Sequence, residues 1–158
     1  ATALEWLQAS RPAARGDWEA VLDVLGVAPL EALDHDPHAL RALRDDVIAT
    51  VREALGGRMD IVRVADRWTR DELPLRLRAV ENCLTRLALE GGQGGRQGAE
   101  MRPGTHLSGA DPDINIATAL RLIDDVRELQ RQMAATGLNK PLAVERHLWR
   151  LSGARATA

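Results

Sequence analysis

Across this chain apolar residues return every three or four positions, and nowhere do they alternate over four or more residues as a half-buried strand would require. Between Asp36 and Gly56, Leu40, Leu43, Val47, Val51 and Leu55 fall on one helical stripe. Leu73, Leu77, Val80, Leu84 and Leu87 repeat the pattern, as do Leu122, Val126, Leu129 and Met133. A chain patterned in this way has to bury helix faces against helix faces, so the expected fold class is all-α: a compact bundle of about five main helices. A short helical lead-in precedes them.

Start and stop signals divide the pattern. Residues 3–10 form a short helix with Leu4 and Leu7, broken at Arg11-Pro12. Asp17 is expected to cap a second helix, with Trp18, Val21, Leu22 and Leu25 on one face and Gly26 at its end. Residues 29–34 make one more turn. Asp36-Pro37 is a cap followed by a first-turn proline, and Gly56-Gly57 ends that helix. Asp60 caps a helix carrying Ile61, Val64, Ala65 and Trp68, and Asp71 is expected to cap the next, with Pro74 in its first turn. Residues 91–112, rich in glycine, read as a flexible loop. Asp113 is expected to cap the long helix after it. Thr136-Gly137-Leu138-Asn139 stops that helix, with Gly137 as its left-handed C′ residue, and Asn139 and Pro141 start the last.

Composition narrows the function. The 158 residues suffice for one domain with its own core. There is no Phe or Tyr, so core aromatic volume is expected from Trp6, Trp18, Trp68 and Trp149. The net charge of -2 argues against a dedicated nucleic-acid binder, which would be strongly basic. A single cysteine, Cys83, cannot build a disulfide framework and suits a reducing cytoplasm. No apolar run approaches the roughly 20 residues of a membrane span, and no signal peptide is visible. The chain opens Ala1-Thr2-Ala3 without Met, which points to a piece of something longer.

Candidate chemistry is thin. The glycines at 91–98 lack the Lys-Ser or Lys-Thr of a phosphate loop, and the chain's lysine is Lys140, so a linker is the better reading. Asp34, His35, Asp36 and His38 are potential metal ligands, but Asp36 is already a helix cap. Cys83 has no nucleophile signature and sits beside an apolar stripe. Asp45-Asp46 and Asp124-Asp125 read as solvated carboxylates paired locally, Asp124 with Arg127. His106 and His147 lack an evident partner. Arg146, His147 and Arg150 after a tight turn raise a helix-turn-helix reading, but Pro141-Leu142-Ala143-Val144 is not the polar N-terminus of a recognition helix.

The last third carries a family resemblance. A leucine-bearing helix, then Thr136-Gly137-Leu138-Asn139-Lys140-Pro141, then Leu142, Glu145, Leu148 and Leu151 at intervals of three, resembles the C-terminus of the delta prime family of bacterial clamp-loader subunits. Upstream, Ala65-Asp66-Arg67-Trp68, Asp71-Glu72-Leu73-Pro74-Leu75-Arg76-Leu77 and Leu84-Thr85-Arg86-Leu87 are similar to a second stretch of that family. The two regions cover roughly half of the chain, and neither is a catalytic motif. The resemblance implies that residues 38–158 are a helical collar domain and residues 1–37 the end of an AAA+ type lid module. Gly26-Val27-Ala28-Pro29-Leu30-Glu31-Ala32 would be the lid turn. It lacks the nucleotide-sensing arginine of active modules, which fits a subunit that does not hydrolyse ATP.

On this reading the chain is a non-catalytic oligomerisation domain within the DNA polymerase III holoenzyme, cytoplasmic, with no cofactor, no metal and no small-molecule substrate. Its expected partners are the delta and gamma/tau subunits, and it meets DNA only through the assembled complex. Trp149, Arg146 and Arg150 on the last helix and Arg127 and Arg131 on the long one are the candidate partner-facing residues, because a row of arginines stands on helices whose apolar stripes are already used. The rival expectation is a free-standing helical DNA-binding or regulatory domain, marked by salt-dependent affinity for duplex DNA.

Overall fold

The structure, a computed structural model, describes residues 2–10, 17–26, 28–93, 114–134 and 137–154. It is all-α, with eight helices and no strand among the described residues. The lead-in comprises α1 (Ala3–Ser10), α2 (Trp18–Leu25) and α3 (Pro29–Ala32). The main helices are α4 (Pro37–Leu55), α5 (Ile61–Arg70), α6 (Leu73–Gln93), α7 (Ile116–Met133) and α8 (Lys140–Gly153). No described helix is long and apolar enough to cross a membrane.

Helix α2 packs on α4 and α6, α6 runs along α7, and α8 closes against α4, α5 and α7. One continuous apolar cluster joins Leu7 and Trp18 at the start to Leu148 and Leu151 at the end. Trp18 and Trp68 are fully buried and supply its aromatic volume. Trp6 and Trp149 do not, against expectation; both are exposed. On a short or terminal helix a residue one position off the apolar stripe points to water, whatever its size.

Several expected caps are in place. The Asp36, Asp60 and Asn139 side chains accept from the backbone N–H of His38, Arg63 and Leu142 at 3.1, 3.1 and 3.2 Å. Helix α4 ends in a Schellman turn: Gly57 sits at φ 67°, its N–H donates to the Ala54 carbonyl, and the Arg58 N–H donates to Glu53 at 3.1 Å.

Other caps differ. Asp17 makes no cap bond; its carboxylate, 4% exposed, faces the start of α4, where His38 Nδ1 lies at 2.8 Å and Arg41 Nη1 at 3.0 Å. Asp71 closes α5 and pairs with Arg76 rather than capping α6, and Glu72, at φ 49°, reverses the chain between the two helices. Helix α7 is capped by Asn115, whose Oδ1 accepts from Thr118 N–H at 2.8 Å; the expected cap, Asp113, lies outside the described residues. That helix ends at Met133 with Ala134 as its C-cap, so Gly137, at φ 90°, belongs to the turn into α8 and is not the C′ residue. Helix α6 continues through Gly91 and Gly92 to Gln93, because each residue added to a long helix gains a hydrogen bond. The remainder of the expected 91–112 loop lies outside the described residues.

Charges tie the helices together. Arg76 is 7% exposed. Its guanidinium meets Asp46 of α4 and Asp71 Oδ2 at 2.7 Å, donates to the Asp71 carbonyl at 2.9 Å and lies over the Trp68 ring. Asp46 also receives Arg67 at 3.0 Å, so it is an inter-helix tie and not the solvated carboxylate its neighbour Asp45 suggested. Asp23 of α2 takes Arg44 of α4 at 3.2 Å and Arg86 of α6. Asn82 of α6 donates to the Asp23 and Val24 carbonyls at 3.0 and 3.1 Å, satisfying the end of α2.

Arg76→Ala removes the shared guanidinium and is expected to destabilise the fold by about 2–4 kcal/mol in urea titration. Arg76→Lys recovers little of this, because an ammonium cannot fork to two carboxylates while lying flat on an indole.

Candidate interaction site

Helices α7 and α8 form an antiparallel hairpin at one side of the bundle. Their inner faces supply Leu122, Ile123, Val126 and Leu129 from α7 and Val144, Leu148 and Leu151 from α8. The Arg150–Asp125 pair bridges the two helices and sets their register.

The outer face of α8 is uncovered. Leu142 is 60% exposed and Trp149, two turns on, is 62% exposed, with Arg146 between them. Leu142 begins the Leu-x-x-Glu pattern, yet its side chain stays out of the core that Leu148 and Leu151 enter. Leu120 and Ile116 are likewise exposed, one turn apart at the start of α7.

The expected arginines do not form one row. Arg127 reaches across to Glu81 of α6, Nε to Oε1 at 2.7 Å, and not to Asp124. That bond and the charge of Glu81 hold the Arg127 guanidinium above its ordinary range. Arg131 pairs along its own helix with Glu128 at 2.6 Å, and Arg150 is engaged by Asp125. Hydrogen bonds from Gln132 and Arg131 hold the Glu128 carboxyl below its usual value. Among the candidates, Arg146 and Trp149 stand together on the exposed face, and Arg146 has no ionic partner among the described residues.

Of the two histidines without an evident partner in the sequence, His106 lies outside the described residues and His147 is in the core. It is 3% exposed, and neither ring nitrogen has a hydrogen-bond partner among the described residues. Burial pushes its pKa down to about 4; Arg150 adds to the fall and Asp125 opposes it. The spacing held the clue: His147 is three residues after Val144 and four before Leu151, on the buried stripe. Elsewhere, His38 is turned to Asp17, Asp36 serves its helix, and Cys83 is half-buried. No described group of three or more His, Cys, Asp or Glu residues converges for a metal ion.

No protein-family model, curated protein or solved structure matches this chain.

The buried imidazole sets a pH dependence. The folded chain keeps His147 neutral down to about pH 4, whereas an unfolded chain protonates it near 6.5. Between those values the unfolded state holds more protons, so acidification destabilises the fold, and the contribution is complete above pH 6.5. The full window corresponds to about 3 kcal/mol. His147→Leu should flatten the change between pH 7 and 4.5, read from urea midpoints.

Proposed function

We propose that this chain is a non-catalytic association domain: the helical collar of a clamp-loader subunit of the delta prime type. It would hold delta and gamma/tau neighbours through helix faces while ATPase modules elsewhere in the assembly place a sliding clamp on primed DNA. Residues 38–158 would form the collar and residues 1–37 the end of the preceding lid. The observation that carries the reading is the open stripe of Leu142, Arg146 and Trp149 on α8. A tryptophan held on a rigid helix, flanked by a leucine and by an arginine without an ionic partner among the described residues, is the composition of an interface anchor. The Leu142-x-x-Glu145-x-x-Leu148-x-x-Leu151 pattern and the linker before it support the same reading through their resemblance to that family.

Gel filtration with light scattering tests it, using the chain alone and mixed with delta or gamma/tau from the same organism. Co-elution is expected, weakened by about tenfold to a hundredfold in Trp149→Ala. Salt-dependent binding to duplex DNA with no co-elution would instead favour the free-standing DNA-binding domain.

A further inference from the structure

Helix α8 carries its buried and open faces on opposite sides. At about 100° per residue, Val144, His147, Leu148 and Leu151 gather on the core side, and Leu142 and Trp149 lie together on the outer side as a ridge. Between them along the helix come Glu145 and Arg146, which flank the Leu142–Trp149 line at about 50° to either side. Adjacent residues of a helix point apart, so these two charges do not face each other. Neither has an ionic partner among the described residues, whereas Arg127, Arg131 and Arg150 each have one.

An occupant of the ridge therefore has to bring an anion to one flank, a cation to the other and apolar side chains between. The ridge itself has that pattern, and it is complementary to itself in one orientation. Two parallel copies of α8, related by a two-fold along their length, set the Arg146 flank of each against the Glu145 flank of the other. Both charge pairs then form across the contact, and Leu142 and Trp149 each meet their own counterpart between them. Antiparallel copies bring like flanks together, Arg146 beside Arg146 and Glu145 beside Glu145, which is repulsive.

We propose that in the free chain the α8 ridge is covered by the α8 ridge of a second copy, in a parallel, two-fold symmetric pair. The proposal rests on reading the ridge as an association surface and names what occupies it before another subunit does. Self-pairing and binding of another subunit through the same ridge exclude one another, so the pair is a resting form that parts on assembly. About two helical turns from each copy bury less than the roughly 1,200 Å² of a standard interface, which puts the dissociation constant at about 10–100 µM.

Light scattering of the chain alone, from about 5 µM to about 1 mM, tests this. The mass is expected to rise from one copy toward two. Glu145→Arg and Arg146→Glu, both on the outer side of α8, should keep the helical circular dichroism and each weaken pairing about tenfold. Glu145→Arg takes the net charge from -2 to zero, so unspecific association would grow where the proposed pair weakens. Exchanging both residues in one chain, Glu145→Arg with Arg146→Glu, should restore pairing to within about threefold of the original. A mass that stays at one copy throughout, stronger association in Glu145→Arg, or a double exchange as weak as either single change would overturn the pair. Co-elution with delta or gamma/tau by a chain that is monomeric alone would overturn the pair and leave the association reading standing. Pairing that follows the charge exchange, with no co-elution, would uphold the pair and overturn the delta prime reading.

Discussion

A guanidinium buried between three helices organises this bundle. Arg76 could not leave water unless its donors were met, and they are met by Asp46 from α4, by Asp71 from the link between α5 and α6, and by the face of Trp68. These partners come from separate elements, so the position of the guanidinium fixes how α4, α5 and α6 lie together. Asp23 performs the complementary task for α2, drawing an arginine from α4 and another from α6. Apolar burial supplies most of the driving force, but leucine stripes tolerate sliding and these directional contacts do not.

The helices themselves were legible because their signals are local. A stripe of Leu40, Leu43, Val47, Val51 and Leu55, a cap at Asp36 and glycines at 56 and 57 all act within a few residues of one another. Legibility failed where a side chain had a better offer from outside its own capping turn. Asp17 and Asp71 stand where caps belong, yet each carboxylate is taken by a basic side chain: Asp17 by residues of α4, Asp71 by Arg76 inside the next helix. Sequence spacing ranks local acceptors and is blind to an arginine 24 or 30 residues distant, such as Arg41 for Asp17 or Arg76 for Asp46.

The same division runs through the candidate site. That Trp149 and Arg146 face outward follows from the helical period once Leu148 and Leu151 are set inward. That Arg127 and Arg150 are held by Glu81 and Asp125 does not, because those partners lie 46 and 25 residues away. His147 was hidden for a different reason: a polar residue on an apolar stripe reads as an interruption until the packing shows that it has no way out.

The placement of α8 has a consequence for how the chain acquires its structure. This helix covers α4 and α5, yet it follows them by dozens of residues and emerges from the ribosome after them. Until it arrives, α5 lacks the neighbour that α8 provides. The earlier helices can therefore assemble through the Asp23 and Arg76 contacts while the apolar side of α5 stays open. At roughly 5–20 residues per second that interval lasts several seconds, and it is the period in which a chaperone or a second chain has access to the same surface.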